Sequence, residues 1–328
     1  MAMALGEFDL IRRYFSHATP PHPGTLLGIG DDCALLNCGD EALAITVDTL
    51  VSGIHFLPEV DAMTLGHKAL AVNLSDLAAM GAQPCWCTLA LTLPESDEDW
   101  LSAFTRGFSA LANRYGVQLI GGDTTRGPLS ITVQAMGRVA PDRALRRSGS
   151  NAGDLLYVSG PLGSAGLGLL QRLGQTLTRD ELSLKALDCP EPRIELGLQL
   201  LGLATACIDI SDGLSADLGH LLAASHLGAT LEYEQLPLST AVRQYGALTG
   251  DIGLPLRAGD DYELCFSVPP QKRDETDALL LRLGLNGACI GQTEAQPGLR
   301  IVRNGHPITL QSHGYEHFTP SPTPDQGR

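Results

Sequence analysis

The run Gly66–Gly81, Gly-His-Lys-Ala-Leu-Ala-Val-Asn-Leu-Ser-Asp-Leu-Ala-Ala-Met-Gly, constrains this chain more than any other stretch. Ala and Leu dominate it, no Pro interrupts it and a Gly stands at each end, which predicts one helix between the two glycines. Leu70, Leu74, Leu77 and Ala78 recur at helical spacing, and Val72, Ala79 and Met80 make the other sides apolar. A helix apolar nearly all round is buried. Asn73 and Asp76 nevertheless lie three residues apart on one face of it. A buried carboxylate is costly unless it is paired or coordinates a metal. Asp76 therefore either caps or pairs with a neighbour, or belongs to a cation site.

Strand-like and helical segments alternate along the whole chain, so the expected class is α/β or mixed α+β. Strands are expected at 42–51, 85–93, 117–120, 129–139, 155–159, 206–210, 229–233 and 264–268. Helices are expected at 7–16, 97–115 (Ser96 as N-cap, Gly116 as stop), 271–283 and in the stretches ending near Leu203 and Ser225. Gly121–Gly127 is read as a loop, and Asn304-Gly305 as a hairpin turn. The polar, basic run Pro141–Gly153 divides the chain, and 328 residues suffice for two domains. The expected domains are 1–140 and 150–320, followed by a loose tail at 321–328.

Thirty-seven acidic residues against 22 basic give a formal charge of −15, which argues against nucleic acid or an anionic membrane as partner. The N-terminus has no basic region before an apolar one, so no signal peptide is expected. The eight Cys form no Cys-x-x-Cys pair, and they read as reduced thiols of a cytosolic protein.

Five further places put Asp beside Gly or at a strand end: Asp31/Asp32, Asp48, Asp123, Asp209/Asp212 and Asp260/Asp261. Each alone has an ordinary explanation in turn chemistry. If several converge, cations must hold them, because two carboxylates ~4 Å apart repel by about 4 kcal/mol at an effective dielectric near 20. Oxygen donors without matched His or Cys select Mg²⁺ or Mn²⁺, and Mg²⁺ commonly bridges carboxylates to substrate phosphates. The usual phosphate devices are missing. Lys occurs only at 68, 185 and 272, and none completes a P-loop. Gly163-x-x-Gly166-x-Gly168 mimics a dinucleotide fingerprint with the wrong spacing, and reads better as a close-packed helix start offering N–H groups to an anion. Arg126 and the cluster Arg143, Arg146 and Arg147 are the cationic candidates for phosphate oxygens, or else a solvated linker.

Several runs together resemble one family. They are Gly28-Ile29-Gly30-Asp31-Asp32, Val47-Asp48-Thr49, His55-Phe56, Ala71–Gly81 and Gly121-Gly122-Asp123-Thr124. Arg147-Ser148-Gly149, Asp209-Ile210-Ser211-Asp212-Gly213-Leu214 and Asp261-Tyr262-Glu263-Leu264 complete the set. In order and spacing, from Gly6 to about Phe318, they resemble the thiamine-monophosphate kinases, in the wider aminoimidazole-ribonucleotide-synthetase-like superfamily of ATP-binding proteins. The resemblance implies two α/β domains, the first for ATP, Mg²⁺ and dimerisation, and a cytoplasmic homodimer. It implies that ATP and thiamine monophosphate give ADP and thiamine diphosphate, the last step of thiamine diphosphate biosynthesis, by Mg²⁺-assisted in-line transfer. By the same resemblance Asp32, Thr46, Val47 (through its carbonyl), Asp48, Asp76, Asp123, Asp209 and Asp212 would hold several Mg²⁺ ions, with Asp76, Asp123 and Asp212 the essential carboxylates. Gly122, Asp123, Arg147 and Ser211 would meet ATP, and His55, Asp260 and Tyr315 would face the thiamine phosphate. The family usually has Glu where Asp260 stands, one methylene longer. The rival readings are another superfamily member with a different oxygen or selenium acceptor, an Mg²⁺-dependent phosphatase, and a nucleotide sensor without turnover.

Overall fold

The structure, a computed structural model, describes residues 6–16, 18–309 and 314. Tyr315 and the predicted tail lie outside these residues. The first half of the chain runs α1 (Glu7–Leu10), a π-helical turn (Ile11–Phe15), β1 (Thr25–Leu27), β2 (Ala34–Cys38) and β3 (Glu41–Val51). It continues with α2 (Ala62–Ala79), β4 (Gln83–Leu93), α3 (Glu98–Tyr115), β5 (Gln118–Arg126) and β6 (Ser130–Val139). The second half begins β7 (Leu155–Val158), α4 (Ser164–Arg172), α5 (Glu181–Asp188), α6 (Ile194–Leu200), β8 (Ala206–Asp209) and α7 (Leu214–Ser225). It ends β9 (Gly228–Glu232), α8 (Thr240–Thr249), α9 (Leu254–Arg257), β10 (Leu264–Val268), α10 (Arg273–Arg282), β11 (Ala288–Glu294), β12 (Gly298–Arg303) and β13 (His306–Ile308).

Among the described residues the strands form two sheets, ordered β1-β2-β3-β6-β4-β5 and β13-β12-β9-β11-β7-β10-β8. Only β4–β5 and β9–β12 pair in parallel, so the fold is mixed α/β. β7 and β10 lie inside the second sheet and β8 at its edge, where it packs on α2, and all three are buried at every position. Asn304-Gly305 does close a two-residue hairpin, with Arg303 opposite His306 and positive φ at both turn residues.

The run around Asp76 is a buried helix, but it starts four residues earlier than its composition suggests. Asp61 is the N-cap, its carboxylate accepting the Thr64 N–H at 3.0 Å. Gly66 is therefore not a terminus but a contact. A Cβ there would stand 2.0 Å from the Phe104 carbonyl oxygen, and one at Gly107 would stand 1.8 Å from that of Met63. The two glycines let α2 and α3 touch backbone to backbone. On its other sides α2 meets β3, β6, α6 and β8, so both halves of the chain pack on it. The N-cap of α3 is Asp97 rather than Ser96, and Gly116 ends that helix in the left-handed region.

Gly121–Arg126 also departs from expectation. It is not a loop but the continuation of β5, which pairs with β4 from Trp86–Gln118 to Leu93–Arg126 and forms an edge exposed at all nine positions. A Cβ at Gly122 would fall 1.8 Å from the Leu89 carbonyl oxygen, so this glycine permits the pairing rather than breaking the strand.

The helix contact is testable. Gly107→Ala should destabilise the protein by about 2–3 kcal/mol through overpacking, although Ala favours a helix over Gly by about 1 kcal/mol. Gly219→Ala in α7, where nothing lies within 4 Å of the added methyl, should instead stabilise. Urea midpoints that rise for both would show that α2 and α3 have room to part.

Candidate active site

On β3 the side chains of residues 42, 44, 46, 48 and 50 share one face, toward α2, as the two-residue period of a strand requires. Thr46 donates its hydroxyl to an Asp76 oxygen. The Asp48 N–H donates to Asn73 Oδ1 at 3.1 Å, and Asn73 Nδ2 donates back to the Ala69 carbonyl of its own helix at 3.2 Å. Asn73 thus fastens α2 to β3, and of the Asn73 and Asp76 pair seen in the sequence the first is structural while the second faces the cleft.

The second half brings its own carboxylate to the same place. β8 ends at Asp209, and Ser75 of α2 donates to Asp209 Oδ2 at 2.6 Å. The turn before β2 supplies Asp32. One oxygen each of Asp32, Asp76 and Asp209 lie within 4.8 Å of one another, a group that could hold a metal ion. Arg147 donates to Asp32 Oδ1 from Nη2 at 2.7 Å and from Nε at 3.3 Å. Asp32 Oδ2 is buried and has no partner among the described residues. The Asp31 carboxylate accepts the Arg147 N–H and is committed to the turn.

Without a cation, burial and mutual repulsion make these carboxyls take protons more readily than ordinary ones. Burial pushes Asp76 well above the usual range, and Asp48, Asp209 and Asp32 push it further. Burial and then Asp32 raise Asp209 to about 8. Burial raises Asp48 to about 6, against a hydrogen bond with Asp76 that works the other way. Asp32 is raised by burial although Arg147 opposes it. The donors are oxygens of hard character, and an unpartnered buried oxygen among them is what a divalent cation would satisfy.

The cluster opens into a cleft of about 1350 Å³ between the halves. Val47, Ser211, Asp212, His55 and Asp260 also line it. His55 Nδ1 accepts the Val51 N–H at 3.0 Å, so the ring is held against the end of β3. Glu7 and Phe8 of α1 close one side, and the Phe8 ring packs on His220 of α7 at 4.0 Å between centroids. Burial, with Arg147 and Arg12 adding, pushes the His220 imidazole down to about 4.

Most of the expected site residues converge on this cleft, but Gly122 and Asp123 do not. They lie on exposed β5, with Asp123 opposite Ala90. Three strand spacings separate β5 from β3 in the sheet order, about 14 Å at ~4.8 Å each. Of the basic cluster only Arg147 faces the carboxylates. Arg143 donates to the Leu201 carbonyl at 3.2 Å, and with Arg146 it lines a separate 240 Å³ cavity. The Gly163 turn does receive an acidic group, and it is the chain's own. Asp261 accepts the Gly163 N–H at 2.7 Å and the Ala165 N–H at 3.3 Å.

Two residues of the site escaped the sequence reading. Asp217, buried in the first turn of α7, accepts the Asp212 N–H at 3.0 Å and fixes the turn that presents Asp212. Its only signal was its place five residues after Asp212, at a helix start. Lys68 lines the cleft from α2 and pairs with Asp260 at 3.3 Å. Its signal was a charge inside a helix otherwise read as buried.

Comparison with known proteins agrees with this architecture. The family model for AIR synthase related protein, N-terminal domain, matches residues 30–139, and its C-terminal counterpart matches residues 151–304. The chain is 50% identical to thiamine-monophosphate kinase of Escherichia coli (strain K12) over 322 residues, which cover 96% of this chain and 99% of that one. The crystal structure of thiamine-monophosphate kinase from Stenotrophomonas maltophilia K279a is 47% identical, with a TM-score of 0.77 over 93% of this chain and 99% of that one. A solved structure described as AaThiL complexed with AMPPCP and TMP is 30% identical, with a TM-score of 0.82 over 96% of this chain and 97% of that one. Identity of this degree over nearly the full length of both chains, on a matching two-sheet fold, means that the chain belongs to the thiamine-monophosphate kinases of the AIR synthase related family.

Proposed function

We propose that the chain transfers the γ-phosphoryl group of ATP to thiamine monophosphate, giving ADP and thiamine diphosphate. The observation that carries the reading is the meeting of Asp32, Asp76 and Asp209, from three separate elements, around an unpartnered buried oxygen at the head of the cleft. The relative described as complexed with AMPPCP and TMP supports both ligands. Asp32, Thr46, Asp48, Asp76, Asp209 and Asp212 would hold Mg²⁺, with Val47 contributing its carbonyl. Bound there, Mg²⁺ would neutralise phosphate charge on donor and acceptor. Arg147 spends two of its five N–H donors on Asp32, which leaves three for nucleotide phosphate beside Ser211. His55, Asp260 and Tyr315 would position the acceptor. That acceptor is a phosphate monoester, and with a second pKa near ~6 it is already an oxyanion at neutral pH. Transfer can then be direct and in line, without a general base. Residues 1–140 would form the domain for ATP, Mg²⁺ and dimerisation, and 150–320 the second. Among the described residues no helix is long and apolar enough to cross a membrane, which fits a reaction in the cytoplasm.

ADP should form only when ATP, Mg²⁺ and thiamine monophosphate are all present, and Asp76→Asn should lower kcat by about a hundredfold or more while the far-UV spectrum is kept. Inorganic phosphate in place of thiamine diphosphate would make the protein a phosphatase. Near-normal turnover of the variant in saturating Mg²⁺ would return Asp76 to a structural role.

Raised carboxyl pKa values also give the metal a pH signature. Asp48 (about 6) and Asp209 (about 8) are protonated more readily folded than unfolded. Their contribution to stability is complete below ~3.8 and is lost as pH rises through those values. A cation reverses this by taking the place of the protons. The increase in melting temperature on adding Mg²⁺ should therefore be larger at about pH 8 than at about pH 5. An increase independent of pH would mean that Mg²⁺ binds elsewhere.

We infer in addition that two copies assemble through β5. An exposed edge strand is a template for pairing, and this one carries Leu119 and Ile120, which are 47% and 52% exposed. A second copy would also bring its own Gly122 and Asp123 to the cleft that this copy's β5 cannot reach. Ile120→Lys should shift sedimentation toward the monomer mass and reduce activity with it; an unchanged dimer would place the interface on another surface.

A further inference from the structure

Lys68 is 5% exposed in its side chain, and a buried ammonium is costly unless paired. Its partner is Asp260, 3.3 Å away across the boundary between the halves. Leu65, Lys68, Val72 and Asp76 form the face of α2 that lines the cleft. Lys68 stands two turns before Asp76, about 12 Å along the helix at ~1.5 Å per residue. It therefore stands apart from Asp76 along the helix, although the backbone of its partner Asp260 bonds to Ser211 beside Asp209 and Asp212.

The loop that carries Asp260 is fixed on every side except at this side chain. Asp260 and Tyr262 both have positive φ, 67° and 48°, a conformation that non-glycine residues adopt at a cost of about 1 kcal/mol or more each. The Asp260 N–H donates to the Ser211 carbonyl and the Tyr262 N–H to that of Ile210, each at 2.8 Å. Asp261 is bonded to the start of α4, and Glu263 is gripped by Arg193. The Asp260 carboxylate is held differently. Lys68 Nζ and the Tyr262 hydroxyl, at 3.3 and 3.2 Å, both meet Oδ1. Among the described residues Oδ2 receives neither an N–H nor an O–H, and the side chain is 31% exposed toward the cleft.

We propose that Lys68 is a positioning residue that clamps Asp260 through Oδ1 and so aims Oδ2 at the cationic, amine-bearing end of the acceptor. The proposal rests on the reading of the acceptor as thiamine monophosphate. A carboxylate repels the phosphate end of that molecule and attracts its aminopyrimidine and thiazolium end. Lys68, enclosed behind Asp260, acts on the acceptor through that carboxylate and not on phosphate. It also sets the side chain of an Asp that is one methylene shorter than the Glu usual at this place.

The test measures steady-state constants for each substrate separately, and inhibition by thiamine, which lacks the phosphate. Lys68→Met should raise KM for thiamine monophosphate about tenfold and weaken thiamine by a similar factor, while KM for ATP stays within about twofold. Asp260→Asn should do the same, and the double variant should be no worse than either single one, because the two residues act as a unit. Lys68→Arg, which keeps the charge, should recover most of the loss. A normal acceptor KM in Lys68→Met, multiplying effects in the double variant, or unchanged thiamine inhibition beside a raised KM would each overturn the proposal, the last by placing Lys68 on the phosphate. Should Lys68→Met fail to fold, Asp260→Asn decides alone, and an unaltered acceptor KM there defeats the idea. Failure of the wild-type protein to consume thiamine monophosphate would instead remove the reading beneath it.

Discussion

Three carboxylates held within 4.8 Å of one another in partly desolvated surroundings are the constraint on which this structure turns. Ionised and left to themselves they would drive their elements apart, and each belongs to a different part of the chain: the turn before β2, the middle of α2 and the end of β8. What opposes the repulsion is a set of neutral and cationic donors placed with the same care. Thr46 and Ser75 each give a hydroxyl to a carboxylate, and Arg147 gives two N–H groups to Asp32. The glycine contact of α2 with α3 then prevents the helix from yielding. Rigid placement of like charges is what a phosphoryl-transfer site needs, since little of the chemistry is covalent and most of it is the control of charge.

The features of the sequence that were easiest to read are those in which two physical rules conflict. A carboxylate inside an apolar helix breaks the expected pattern, so Asp76 stands out by itself, whereas Asp48 is marked only by its place at a strand end and Thr46 only by the family resemblance. Signals that serve two purposes were harder. Gly66 resembles a helix end, yet its role is close approach to Phe104, and only the partner glycine on α3 makes that evident. Gly121-Gly122 resembles a loop, yet it lies in a strand, where Gly122 leaves room for the Leu89 carbonyl opposite. The whereabouts of Asp123 depends on sheet order, which no local pattern encodes. Lys68 and Asp217 were overlooked because a lone charge in a helix is usually solvated, and their meaning depends on partners 192 and 5 residues away.

Neither half of the chain makes the cleft alone. The first contributes α2 and the end of β3, the second contributes the Asp209–Gly213 turn and the strained 258–263 loop, and Ser75–Asp209 and Lys68–Asp260 join the two at separate points along α2. Relative motion of the halves would therefore change both contacts at once, coupling the state of the acidic cluster to the presentation of Asp260.

The fate of the glycine turn before α4 has a wider consequence. In many nucleotide-binding folds such a turn and its helix dipole cradle the phosphates directly. Here Asp261 has filled that cradle from within, so the peptide groups that could serve as a permanent counter-charge are spent on holding the loop in place. On the proposed reading the nucleotide would draw its positive charge from Arg147 and from exchangeable ions instead. If the acidic cluster holds Mg²⁺ as proposed, occupancy of the site would follow the free concentration of divalent cation, and a cell that depletes that pool would turn the activity down without altering the protein.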